Sequence, residues 1–412
     1  MRDAPAGQAQ SSAQAGATTA ARTPITHEKL WMMPRVGAPA VSPDGKWVVF
    51  AVLEPSYDSD KEVSDLWLVP ADGSAAPRRI TNTKAAESGV AWSHDSRRIA
   101  FSTKREGDEA EQIYILDLAQ GGEARRLTHL STGASGPRWR PDDQAILFES
   151  TVYPNAPDDE ANRKIAAERK ERKYNVRAYE HFPIRFWNQW LDDRQPTLLI
   201  QPLQPGAQPR DILSPTALAH TAGFSGIINE TNITLAPLWS PDGTEVIFAA
   251  TTERWNSAYA HVGSHLFRMP AAGGEPRILT PEPGEYDDAR FAPDGRSLFF
   301  KYTVQDQEIY HLSRVRRVSW PAPGAPAPVT PGLDRETMEY ALTPDSRSLY
   351  LLVSDAGKQA LYRAPAAGGK PALVVEPATG GYTHLDIPEK APRPVLIGSY
   401  GSSVSPQEIV RI

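Results

Sequence analysis

Three observations in this 412-residue chain predict an all-β fold, a β-propeller of about seven blades. Turn-forming residues are dense, with 38 Pro and 29 Gly beside 10 Trp and little long amphipathic pattern. A nonapeptide recurs six times with no slip in register. The recurrences lie about 50 residues apart, the length of one four-stranded unit.

The repeat runs Ser42-Pro-Asp-Gly-Lys-Trp-Val-Val-Phe50, Ser93-His-Asp-Ser-Arg-Arg-Ile-Ala-Phe101 and Arg140-Pro-Asp-Asp-Gln-Ala-Ile-Leu-Phe148. It returns at Ser240–Phe248, Ala292–Phe300 and Thr343–Leu351. Asp stands at the same place in all six: 44, 95, 142, 242, 294 and 345. An apolar residue precedes each turn: Val41, Trp92, Trp139, Trp239, Phe291 and Leu342. Each unit therefore reads as a strand ending at the apolar residue, then a β-turn. Pro sets φ there, and Asp accepts from its own backbone two residues on. A second, apolar strand follows. Further along come the outer pair, as in Asp65–Gly73 with Arg78–Thr81, Gln112–Gly122 with Arg125–Thr128, and His265–Gly274 with Arg277–Thr280.

Spacing counts the blades. From Pro43 to His94 is 51 residues, and the following intervals are 47, 100, 52 and 51. The long interval places an insertion in the third blade, at about 151–195. Its first part, Asp158–Lys173, carries five acidic and six basic residues with Glu160/Lys164 and Glu168/Arg172 at i,i+4, the pattern of a solvated helix. Tyr179–Asp193 follows as an aromatic-rich loop or strand that should pack on something. The seventh blade falls at Gly380–Ile412, with strand-like runs at Arg393–Tyr400 and Glu408–Ile412 but no turn motif. It reads as incomplete, so the propeller domain spans 25–412 with its last blade cut short.

Composition narrows the chemistry. A net charge of −6 and the absence of a basic stripe argue against nucleic acid as a partner. No apolar run is long enough to span a bilayer. With no cysteine, thiol catalysis, disulfides and thiolate-ligated metals are excluded. Residues 1–24 lack the apolar core of a signal peptide and read as a disordered tail, of the spacer kind that can follow one. Periplasmic or secreted placement follows if an export signal has been lost, cytoplasmic placement otherwise; the residues leave the compartment open.

No catalytic group stands out. The Gly-x-Ser-x-Gly elbow of a serine hydrolase is absent, and Ser225 in Gly223-Phe-Ser-Gly226 has the wrong spacing. His261 and His265 are four apart but precede a strand and lack an HExxH frame, so they read as structural. The repeat aspartates lack the alternating acidic ligands of a calcium loop. No metal or cofactor is expected. Two acidic clusters remain, Asp192-Asp193 and Glu285-Tyr-Asp-Asp288, either of which could hold a substrate ammonium.

The repeats resemble PD40/TolB-type propeller units, which are WD40-like. The fuller pattern resembles the N-terminal propeller of prolyl oligopeptidase family (S9) serine peptidases, in the acylaminoacyl-peptidase and dipeptidyl-peptidase-5-like branch. Ile25-Thr-His-Glu-Lys-Leu-Trp-Met-Met-Pro-Arg-Val-Gly37 leads into the first turn. Arg185-Phe-Trp-Asn-Gln-Trp190 is similar to that branch's Arg-x-Trp-Asp-x-Trp segment, with Asn188 where the family has Asp. Ser402–Arg411 resembles the stretch that leads towards the peptidase domain.

The resemblance implies a propeller that gates peptide substrates for an α/β-hydrolase domain, which carries the catalytic triad and is the implied partner. No catalytic residue can then be carried over to this chain, which alone should be inactive. Arg185, Trp187, Trp190, Asp192 and Asp193 are the candidate substrate-binding residues. The alternative is a free-standing TolB-like propeller that binds proteins or peptides on its face.

Overall fold

The computed structural model describes residues 24–412 apart from 59–60, 175, 229–232, 307 and 309. The expected N-terminal tail thus lies outside the described residues, save Pro24. The chain forms six antiparallel units, each carrying one repeat turn, and a final three-stranded group. The second unit shows the plan: Glu87–Trp92, Arg98–Thr103, Gln112–Asp117 and Arg125–Arg126 pair in chain order. In the first unit Arg35–Val36 and Ala40–Val41 both pair with Trp47–Glu54, so its innermost strand is interrupted. The last group is Gly381–Asp386, Ile397–Ser402 and Ser405–Arg411. Its strands are shifted from the runs read in the sequence, because Ser402-Ser-Val-Ser405 makes the hairpin turn.

The repeat turns do what their residues dictate. Every motif Asp accepts a hydrogen bond from the backbone N–H two residues on, at 2.9–3.1 Å in all six. The residue after each Asp takes the left-handed conformation: Gly45, Ser96, Asp143, Gly243, Gly295 and Ser346. Glycine adopts it at no steric cost, whereas a side chain there is strained. The three non-glycine residues have compensating partners. Ser96 Oγ accepts from Asp44 N–H of the preceding unit, and Ser346 Oγ from Asp294 N–H, both at 3.0 Å. Asp143 accepts from His94 N–H at 2.8 Å and Asp95 N–H at 3.0 Å. The strained positions are therefore clasps between neighbouring units.

The core is divided among the junctions between units. Alternate residues of one strand face opposite neighbours. Ala145 and Leu147 pack towards the fourth unit, whereas Ile146 and Phe148 pack towards the second. Two-sided burial explains why these strands read as continuous apolar runs. Indoles reinforce the same junctions. Trp92, Trp139 and Trp239 each donate Nε1–H to a carbonyl of the preceding unit, that of Ala40, Ala91 and Arg138 respectively, at 2.9–3.1 Å.

The ends of the chain meet without sharing a strand among the described residues. Val41, Val48 and Phe50 pack with Ile397. Lys390 N–H donates to Pro43 O at 2.9 Å, and Val41 N–H to Asp386 Oδ2 at 2.8 Å. Closure is thus apolar stacking with a few cross-links, not a shared hydrogen-bond ladder.

Candidate functional site

Between Ala145–Val152 and Gln195–Pro202, strands paired along their full length, the chain leaves the sheet. It forms the helix Asp159–Lys170, N-capped by Asp158, whose side chain accepts from Ala161 N–H. Asn162 is its only buried residue and ties the helix to Tyr153 N–H. Among the described residues the expected pairs Glu160/Lys164 and Glu168/Arg172 do not form; Arg172 lies beyond the helix end, and the i,i+4 pair that does form is Asp159/Arg163. Arg163 also reaches Glu109 outside the helix, and Arg169 holds Asp193 with two bonds of 2.6 and 2.7 Å. The Arg169–Asp193 contact is bidentate, the stronger arrangement for an arginine on a carboxylate.

The aromatic segment folds as a short hairpin, Arg185–Phe186 with Gln189–Trp190. Trp187 sits at its tip with a left-handed φ of 48° and is 85% exposed. Trp190 lies 6.4 Å from the Tyr179 ring. The rest of the segment rests on a loop of the fourth unit. His181 stacks on Trp255 at 3.7 Å, and Phe182 meets Tyr259 edge-on at 6.0 Å.

Beneath these contacts lies a cavity of about 620 Å³. Its apolar wall includes Pro183, Ile184, Ile227 and Val262, and its titratable groups are Arg185, Arg254, His261 and Glu285. A side chain at Gly263 would collide with the Gly284 carbonyl, so glycine lets the fourth and fifth units close around the cavity. His261 Nε2 lies 3.6 Å from Glu285. Arg254 is half-buried, and no carboxylate among the described residues lies within ion-pair distance of it. Burial pushes its guanidinium below the ordinary arginine value, opposed at longer range by Asp192.

A second cavity, again about 620 Å³, runs between the innermost strands and is ringed by Trp92, Trp139, Trp239 and Phe291. Charges line it. Arg290 pairs with Asp288 at 2.8 Å and approaches Glu339 at 3.5 Å. Glu149 accepts from Thr234 Oγ and Leu235 N–H, both at 2.7 Å, with the charge of Arg138 nearby.

Residues 18–159 match the family model described as the TolB beta propeller domain. Dipeptidyl-peptidase 5 of Porphyromonas gingivalis is 25% identical over 350 residues, covering 82% of this chain and 47% of that protein. The same-named protein of Porphyromonas endodontalis is 22% identical over 294 residues, covering 71% of this chain and 40% of its own. Among solved structures, uncomplexed acylaminoacyl peptidase of Pyrococcus horikoshii superposes with a TM-score of 0.64 at 14% identity, covering 93% of this chain and 52% of that one. The β-propeller domain of the Trilobed protease from Pyrococcus furiosus, described as having an open velcro topology, gives 0.59 at 11% identity and 92% coverage of both chains.

The fold is a β-propeller of the TolB type. The chain spans about half the length or less of the two peptidases named from curated sequences, and the structural likenesses, at these identities, concern fold alone.

Within the propeller the candidate residues do not converge. Arg185 lines the cavity beneath the hairpin, and Trp187 and Trp190 stand on the hairpin above it. Asp193 is engaged by Arg169, which holds its carboxyl below the ordinary value, and Asp192 pairs with Arg194 at 2.8 Å. Of the second acidic cluster, Glu285 lines the cavity, Asp287 lies 3.3 Å from Lys301, and Asp288 pairs with Arg290. His261 and His265 separate: His265 Nδ1 bonds the Thr280 carbonyl, while His261 faces Glu285. Ser225 is fully buried, and its Oγ has no hydrogen-bond partner, hence no neighbouring base, among the described residues. Sequence reasoning missed Arg254 and Trp255. Their only signal was an Arg-Trp pair in a loop, and nothing local tells that the insertion lands there.

Burial raises the Glu149 carboxyl above its ordinary value, although Leu235 N–H, the Thr234 hydroxyl and Arg138 oppose the shift. A raised folded value means the native state keeps a proton that the unfolded chain, titrating near 4.3, has already lost. Its contribution therefore favours folding at low pH and is lost as pH rises through the folded value. Glu149→Gln should remove that slope. Urea midpoints of both proteins at several pH values between 4 and 8 should diverge as pH rises, with the wild type losing relative stability; parallel curves would show that Glu149 titrates normally.

Proposed function

We propose that this chain is the non-catalytic, substrate-gating propeller of an S9-family serine peptidase acting on peptides, with the α/β-hydrolase part supplied by residues outside the present sequence or by a separate chain. In this reading the six turn-bearing units and Gly381–Arg411 are seven blades, and the helix with its hairpin is an insertion in the third. The observation that carries the reading is coverage. Most of this chain aligns with under half of a dipeptidyl-peptidase 5, and nearly all of it superposes on half of an acylaminoacyl peptidase. A rigid ring suits gating because its end loops and axial cavity present fixed groups to anything passing. The hairpin and the cavity beneath it are the elements proposed to meet substrate, through Arg185, Trp187 and Trp190. Asp192 and Asp193 would take part only by exchanging their arginines for a substrate amine.

Purified residues 1–412 should show no turnover of acylated or dipeptidyl chromogenic substrates. Turnover that survives a serine-hydrolase inhibitor would refute the reading. The natural transcript should also read on past the Ile412 codon, or lie beside a second frame, encoding roughly 250 residues with a Gly-x-Ser-x-Gly. A stop codon with no such frame nearby would leave a free-standing propeller that binds peptides or proteins.

A further inference from the structure

We infer that the cavity between the hairpin and the fourth and fifth units binds the C-terminal end of a short peptide, with Arg254 as the anchor for its carboxylate. The inference rests on reading this chain as a propeller that admits peptides, and it names the chemical end that is recognised.

Four features argue for it. Arg254 is a half-buried guanidinium lining a cavity, with no carboxylate partner among the described residues. Several other partly covered arginines do have one: Arg79 pairs with Asp65, Arg126 with Asp108, Arg268 with Glu245 and Arg290 with Asp288. A desolvated cation without a partner is costly, and a ligand carboxylate would relieve it through two parallel hydrogen bonds. Second, Arg185 lines the same cavity, and no side-chain partner is found for it among the described residues. A second cation strengthens the preference for an anion.

Third, the apolar wall formed by Pro183, Ile184, Ile227, Ala258 and Val262 suits an aliphatic or aromatic side chain beside the charged group. An anionic end joined to an apolar body is what a peptide terminating in Leu, Val or Phe presents. Fourth, Glu285 lies on the cavity edge, where it would repel a dianionic phosphate more strongly than a monoanionic carboxylate. Asp192, which influences Arg254 from a distance, is already satisfied by Arg194. It does not fill the role.

The test is binding, not catalysis, so it stands apart from the peptidase reading. Acetyl-Ala-Leu as the free acid and as the C-terminal amide are titrated by calorimetry into purified residues 1–412. The acid should bind at least about tenfold more tightly than the amide, the worth of one charge-assisted contact. Arg254→Met should abolish that preference, and Arg254→Lys should keep part of it. Thermal unfolding of each variant reports whether it is folded.

The comparison of acid with amide on the unmodified protein decides the matter even if a variant fails to fold. Equal binding of acid and amide, binding of neither, or a preference that persists in folded Arg254→Met would overturn the inference. Inorganic phosphate in place of the peptide should not compete at millimolar concentration; effective competition would show a general anion site and overturn the peptide-end assignment. If the acid binds preferentially while no hydrolase frame is found, the peptidase reading fails and this inference stands.

Discussion

Trp139→Ala should be among the most damaging single substitutions in this protein, costing about 3–5 kcal/mol of folding stability. The ring is 4% exposed and belongs to the apolar cluster that joins the second and third units, with Ala100, Ile113, Ile146 and Phe148. Arg98 lies over its face at 4.7 Å, and its Nε1–H donates to the Ala91 carbonyl at 3.0 Å. Truncation would open a void where the surrounding strands, held in their ladders, cannot collapse. Trp139→Phe separates the contributions, because it keeps most of the packing and removes the hydrogen bond. It should cost about 1 kcal/mol for the bond and somewhat more for the smaller ring. Denaturant midpoints of the three proteins measure this. A loss in Trp139→Ala no larger than in Trp139→Phe would show that the junction is held by the hydrogen bond and not by packing.

Asp143 is the second place where one side chain carries a junction. Its backbone is left-handed, with φ at 57°, and its carboxylate accepts from His94 N–H, Asp95 N–H and His94 Nδ1. Alanine would retain the backbone strain and lose every bond, a loss of about 2–4 kcal/mol. Glycine would lose the bonds but relieve the strain, recovering about 1 kcal/mol. Serine, which fills this place at 96 and 346, should regain one bond. The expected order of stability is therefore Asp, Ser, Gly, Ala, read from thermal or urea unfolding. If Gly proves no better than Ala, strain is not stored there.

The pH dependence at Asp143 has the opposite sign to that at Glu149. Burial raises the Asp143 carboxyl, but the His94 ring and the two N–H groups more than offset it and hold it below the ordinary value. Its contribution is present above about 3.9, where the unfolded chain is ionised, and is lost as pH falls through the folded value. In Asp143→Gly that acid-side loss should be absent, and unfolding curves between pH 2 and 5 would show it.

The sequence by itself determined the turns and the strands. Six Asp residues at a constant place, each bonding a backbone group two residues away, are local interactions, and local interactions can be read from spacing. The apolar runs announced strands buried on both faces, and the interval of 100 residues marked where the chain leaves the sheet between Val152 and Gln195. The charge pattern of 158–173 announced a helix.

Contacts between units were not legible. Nothing near Ser96, Asp143 or Ser346 says that a strained residue is clasping the turn before it. The three tryptophans read as apolar strand ends, not as donors to a neighbouring unit. The helix pairs read from i,i+4 spacing are absent among the described residues, while Arg163 and Arg169 reach Glu109 and Asp193, contacts that spacing along the helix cannot announce. The candidate site divided for the same reason. Arg185 was read from the insertion, but Arg254 comes from a loop some 70 residues further on and Glu285 from the next unit. Only the closing of the ring brings these three to one cavity. Backbone chemistry within a few residues wrote the blades, whereas the site arises from long-range stacking of apolar faces.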